Sequence, residues 1–314
     1  MTKIKKISVL SLLIISIFSL AACTNTASSN VEIEDEKNMI TVNHRLGETI
    51  VAENPERVIV FDYATLDTLD AMGIEVIGLP KSNIPTFLSK FNDDKYEDVG
   101  TLFEPDFEKI FELQPDVIFV SARQAEVYDE LAKIAPTVFL EVDGADYMNS
   151  VTKNLTVLGE IFNKEEIVEA ELEKINIAIS ELKEKVIEDE KNALIVMAND
   201  GNISAYGEGS RFGIVHSEFG FKPVDRNISV TKHGDNISFE YILEKNPEYI
   251  LVIDRGTVAG GSVSAEQIFD NDIIKETDAY KNDKIIYLNS QVWYVASGGM
   301  TGTMTMIEDI ASKL

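Results

Sequence analysis

The stretch FEKIFELQPDVIFVSAR, Phe107–Arg123, recurs in outline as FEYILEKNPEYILVIDR, Phe239–Arg255. Phe, Glu, Ile, Glu, Pro, Ile, Val and Arg keep their places, and Asp116 aligns with Glu248. Each copy reads as a short helix, a proline break and a buried strand. Asp106 is placed to cap a helix over Phe107–Leu113, ahead of Pro115 and a strand over Val117–Val120. Ser238 is placed to cap Phe239–Lys245, ahead of Pro247 and a strand over Ile250–Ile253.

The surrounding chain keeps this rhythm. Short β-type runs cover Ile40–Val42 and Thr49–Val51, and Glu56–Phe61 reads as a strand. Leu66, Leu69 and Met72 have helical spacing and stop at Gly73, a C-terminal helix signal, and Val76–Leu79 is a strand closed by Pro80. Alternating strands and helices of this kind predict an α/β fold of two Rossmann-like lobes with largely parallel sheets. Between the copies, Glu165–Lys191 contains no Gly or Pro and places Ile167, Leu172, Ile175, Ile179, Leu182 and Val186 among Glu and Lys. The apolar stripe is too short and irregular for sustained heptads. It predicts one long helix joining an N-terminal lobe, residues 39–160, to a C-terminal lobe, residues 192–314, with 161–191 as the connection.

The N-terminus sets the compartment. Lys3, Lys5 and Lys6 precede an apolar run from Ile7 to about Leu20, and small residues lead to Cys23, the single cysteine. This pattern is a secretory signal, residues 1–22, too short in its apolar part for a comfortable membrane span. Residues 23–38, rich in Ser, Thr and Asn and then acidic, read as a flexible tether. With one cysteine, no internal disulfide can form. The formal net charge of −26 excludes nucleic-acid binding as the leading reading, since phosphate recognition needs a basic face.

Ligands of open α/β sheets bind beyond the carboxyl ends of the strands, where Arg123 and Arg255 fall. Arginine is always charged and donates through a planar fork, so two converging guanidinium groups suit an oxygen-rich anion. The chain has only six arginines, which gives two at repeat-equivalent positions some weight against two unrelated rim ion pairs. A third candidate is Arg211 in the glycine-rich run Tyr206–Phe221, where Ser210 is expected to cap a helix and place Arg211 at its N-terminus. His233, in a polar loop before the second repeat, and Tyr294, in the segment after a strand over Ile285–Leu288, are candidate donors to a hard ion such as ferric iron. The plainer alternatives are a solvated loop histidine and a packing aromatic. No HExxH, CxxC, nucleophile elbow or P-loop is present, so the sequence offers no catalytic machinery and no protein zinc cage.

Several segments together resemble the iron-siderophore substrate-binding proteins of ABC importers. They are Leu20-Ala21-Ala22-Cys23, similar to a bacterial lipobox, the entry Pro55–Val60, Glu104–Glu108, both repeat copies and Gly209–Gly213. The resemblance covers about residues 39–314 and is greatest to the branch that binds ferric catecholate siderophores, petrobactin-type ligands included. It implies the helical-backbone (cluster A) two-lobed fold and a cleft in which Arg123, Arg211 and Arg255 hold the anionic complex. It implies that His233 and Tyr294 complete the iron coordination when a tetradentate siderophore leaves positions open. Ferric iron then enters as cargo, with no intrinsic cofactor. The resemblance also implies that Cys23 is lipidated, fixing a monomer to the outer side of the cell membrane. Glu108 and Glu240 would dock the lobes onto the permease, with Glu104 as a second choice for the first lobe. Hydroxamate siderophores, haem or cobalamin are the competing cargoes, and a surface hydrolase or an adhesin are readings from other classes.

Overall fold

The computed structural model describes residues 38–314; the signal segment, Cys23 and nearly all of the tether lie outside them. A hairpin of Met39–His44 and Gly47–Ala52 comes first and forms a separate two-stranded sheet. The N-terminal lobe is built on a five-stranded, all-parallel sheet. Its order across the sheet is Glu97–Asp98, Gly78–Leu79, Val58–Val60, Val117–Val120, Thr137–Phe139. The C-terminal lobe has a six-stranded mixed sheet in the order Asp235–Ile237, Asn202–Tyr206, Asn192–Asn199, Tyr249–Asp254, Ile285–Tyr287, with Lys222–Pro223 beside the start of Asn192–Asn199. Asn202–Tyr206 is its antiparallel member, because it returns from Asn192–Asn199 through a tight turn at Asp200-Gly201.

Strand alternation explains how each sheet is covered on two sides. Val58, Val60, Val117 and Phe119 point into a large central core, whereas Ile59, Phe61, Ile118 and Val120 pack into a second core under the outer helices. In the other lobe Ala193, Ile195 and Met197 join the central core, and Leu194, Val196 and Ala198 face outward. Side chains of a strand alternate faces, so runs buried on both sides must be apolar throughout. The two repeat copies form as expected: Asp106 accepts from the Lys109 N–H and Ser238 from the Tyr241 N–H. Each helix ends in a left-handed residue, Gln114 or Asn246.

The long helix runs Glu165–Glu188, about 36 Å at 1.5 Å per residue. It is shorter at both ends than 161–191. Ile161 and Phe162 close the preceding helix, Tyr147–Phe162, at left-handed Asn163, and strand Asn192–Asn199 begins soon after Asp189. Val168, Ile175, Ile179, Leu182 and Val186 are its buried stripe. The final helix, Met300–Ala311, packs against both the long helix and the first helix of the N-terminal lobe, Tyr63–Ala71, so the chain returns to its start. Asp67 cements that return: its side chain is 1% exposed and accepts from the Gly302 N–H at 2.8 Å.

One local expectation fails. Ser210 caps no helix; the helix begins at Ile214 and spans only Ile214–Ser217, so Arg211 lies in the turn before it. The cause is packing. A Cβ on Gly144 would lie 2.0 Å from the Ser210 carbonyl oxygen, and one on Gly213 would lie 2.5 Å from the Gly144 oxygen. This backbone-on-backbone contact shapes Gly209–Gly213 into a turn pressed onto the N-terminal lobe.

Candidate functional site

A cleft of about 940 Å³ opens beyond the carboxyl ends of the strands of both sheets. Asp62, Ser121–Arg123 and Glu141 come to it from just past the ends of the N-terminal strands, and Asn199 and Arg255 from the C-terminal ones. All three candidate arginines, His233 and Tyr294 line it; Glu108 and Glu240 do not.

Tyr294 is the point on which the arginines meet. Its carbonyl oxygen accepts from Nη2 of Arg123 at 3.0 Å and from Nη2 of Arg211 at 2.7 Å. Its phenol oxygen accepts from Nε of Arg255 at 2.9 Å. The guanidinium of Arg211 also sits 4.9 Å from the centre of the Tyr294 ring, and that of Arg255 5.6 Å. Arg255 is held a second time, by Oδ1 of Asn199 at 2.8 Å. Like charges gathered this closely repel, and burial together with Arg123 holds the Arg211 guanidinium below its ordinary pKa. The tyrosine oxygens and ring face offset that repulsion, leaving donors directed at the cleft.

Local structure explains the placement. Arg123 lies in a 3₁₀ segment, Ala122–Val127, at whose start the Ser121 N–H donates to Oε1 of Gln124 at 3.1 Å. Arg255 opens a helix, Arg255–Ala259, whose cap Asp254 accepts from Thr257. Tyr294 lies in the helix Ser290–Val295, capped by Asn289, with Trp293 fully buried beside it and its indole N–H on Asp309 at 2.9 Å. His233 is exposed, in the loop before strand Asp235–Ile237. The other histidines stand apart: His44 contacts Thr49 at 2.9 Å, and Nδ1 of His216 contacts the Phe221 carbonyl at 2.9 Å. Among the described residues no cluster of His, Cys, Asp and Glu is arranged to hold a metal ion.

Sequence reasoning missed several lining residues. Asp62, Glu141 and Asn199 follow or end strands, so the strand-end rule that selects Arg123 and Arg255 would have selected them too. Burial raises the Asp62 carboxyl above its usual range, against hydrogen bonds from Thr65 and the Arg123 charge. Burial likewise raises the Tyr206 phenol to about 12. Phe103, 69% exposed, and Val230, 65% exposed, bring apolar surface to the lining.

Residues 58–292 match the family described as periplasmic binding protein. The chain belongs to that family. As a periplasmic binding protein it is 45% identical over 314 residues to the petrobactin-binding protein YclQ of Bacillus subtilis, across 99% of both chains. It is 32% identical to the ferric-anguibactin-binding protein FatB of Vibrio anguillarum, across 94% of each. The crystal structure of YclQ superposes with a TM-score of 0.86 at 48% identity, covering 88% of this chain and 98% of YclQ. That of the catecholate-siderophore binding protein VctP of Vibrio cholerae gives 0.84 at 38% identity, covering 88% and 100%. The two-lobed α/β architecture with a connecting helix is thus the one these binding proteins share.

Proposed function

We propose that this periplasmic binding protein captures a ferric catecholate siderophore in the arginine cleft and delivers it to an ABC importer, held on the outer side of the cell membrane by lipid on Cys23. The convergence of Arg123, Arg211 and Arg255 on Tyr294 carries the reading. A ferric tris-catecholate is a compact polyanion rimmed with oxygens, and guanidinium forks arranged around a cleft match that charge and geometry. The rest of the chain is acidic, so attraction to such an anion is local to the cleft. The relatives named for petrobactin, ferric anguibactin and a catecholate siderophore support the same cargo class. In this reading His233 and Tyr294 serve iron only for a siderophore that leaves coordination positions open. Tyr294 would then exchange its hydrogen bond from Arg255 for the metal.

Topology supports the delivery step. Each repeat helix starts at the carboxyl edge of its sheet, the edge where the cleft opens. Glu108 and Glu240 are exposed in the first turns of these helices, and we propose them as the contacts to the permease. Backbone and Ser238 hydrogen bonds hold the Glu240 carboxyl below its usual pKa, so it is charged at neutral pH.

Titration with ferric catecholates, read by fluorescence of Trp293, tests the function. Saturable quenching at or below micromolar ligand is expected. Replacing all three arginines by alanine is expected to weaken binding by about a thousandfold or more, from about 1.5–3 kcal/mol per charge-assisted contact. Absence of saturable quenching by any ferric catecholate at micromolar concentration overturns the reading.

A further inference from the structure

We propose that Arg45, at the tip of the N-terminal hairpin, makes the cleft receptive to anionic cargo by neutralising Glu141 in its wall. The inference rests on the anion-binding reading of the cleft and assigns a role to an element that neither large sheet includes.

The hairpin turns through Arg45 and Leu46, between paired His44 and Gly47. It is pinned to the N-terminal lobe by Thr49, whose hydroxyl donates to the Thr137 carbonyl at 2.6 Å. That anchorage sets Arg45 beside the end of strand Thr137–Phe139. Nε of Arg45 donates to Oε2 of Glu141 at 2.6 Å and Nη2 to Oε1 at 3.3 Å, a two-pronged pair. The guanidinium lies 5.1 Å from the centre of the Phe139 ring. The main chain of Glu141 is fixed in turn, its carbonyl accepting from Nδ2 of Asn154 at 3.0 Å.

Glu141 is a partition. One side lines the main cleft; the other lines a smaller cavity of about 150 Å³ that includes Arg45 and Lys153. The main cleft contains two further carboxylates. Asp62 accepts from the N–H and hydroxyl of Thr65, and Glu126 is exposed. An uncompensated Glu141 would repel the polyanion that the three arginines attract. The pair itself is exposed, with side chains 58% and 31% accessible, and such pairs add little to folding stability. Its consequence is electrostatic and falls on the cleft.

Four variants, Arg45→Ala, Arg45→Lys, Glu141→Gln and the double variant Arg45→Ala with Glu141→Gln, are titrated with a ferric tris-catecholate at low and high salt. At low salt Arg45→Ala is expected to weaken binding about three- to tenfold, as one charge near 10 Å at an intermediate dielectric would. The loss shrinks at high salt. Arg45→Lys retains most of the affinity, Glu141→Gln binds more tightly than wild type, and the double variant returns to within about twofold of it. Wild-type affinity in Arg45→Ala, or a double variant as weak as Arg45→Ala, overturns the inference while the cleft reading stands. Failure of the unmutated protein to bind overturns both.

Discussion

In the first copy of the repeat, Arg123 leaves its strand in a tight 3₁₀ turn and reaches Tyr294, which belongs to the segment following the other sheet. In the second, Arg255 opens a capped helix and is held by two groups on either side of its own strand, Asn199 and the Tyr294 phenol. The backbone unit is the same, but one arginine is set within its lobe and the other bridges the lobes. The duplicated unit therefore supplies a fixed anchor and a contact whose geometry depends on how the lobes sit.

Removing each arginine separately breaks that symmetry. Arg255→Ala takes away a guanidinium already oriented by two partners, and a loss of about 100-fold in affinity for a ferric catecholate is expected. Arg123→Ala removes a group held by one hydrogen bond, and about tenfold is expected. Isothermal titration of both variants checks the order; equal losses would mean that the ligand, and not the free protein, sets the two geometries. Arg211, outside the repeat, is positioned by a third device, the seam between Gly144 and Gly209–Gly213. Gly144→Ala puts a methyl group into the Ser210 carbonyl, which neither backbone can avoid. Overpacking of this kind costs about 1–3 kcal/mol, and displacing Arg211 is expected to weaken binding roughly tenfold, read by the same titration.

The sequence made some of this visible and left the rest hidden, for physical reasons. Capping residues, proline breaks and two-sided apolar strands are local signals, so the repeat helices and strands were legible at Asp106, Ser238, Val117–Val120 and Ile250–Ile253. The strand-end rule located Arg123 and Arg255. Tyr294 was visible as a side chain, but its carbonyl is where two arginines bind, and a main-chain carbonyl has no signature in sequence. The turn at Ser210 was misread as a cap because its shape comes from Gly144, on the other lobe. The return of Met300–Ala311 to Tyr63–Ala71 is likewise tertiary, made by shared core packing and by one buried carboxylate, Asp67.

That carboxylate is itself a lobe-dependent contact, because it ties the first helix of the N-terminal lobe to the helix that follows Tyr294. Burial raises its pKa from 3.8 to about 6, against hydrogen bonds from the Gly302 and Thr301 N–H groups and the Thr301 side chain, with Asp70 adding repulsion. A carboxyl whose pKa is higher in the fold than in the unfolded chain keeps its proton longer in the fold. Its contribution therefore favours folding fully below about pH 4, and is lost as pH rises through about 6. Asp67→Asn keeps an oxygen for the Gly302 N–H and removes the buried charge. The stability difference between this variant and wild type is expected to shift in the variant's favour by roughly 1–3 kcal/mol between pH 4.5 and 7.5. In thermal unfolding that is a relative gain of about 2–4 °C for each kcal/mol. Taking the difference cancels the pH response of the many surface carboxylates, which both proteins share. Curves that stay parallel across this range would mean that Asp67 is ionised in the fold without penalty, and that the amide hydrogen bonds at the start of Met300–Ala311 are strong enough to hold a full negative charge in the core.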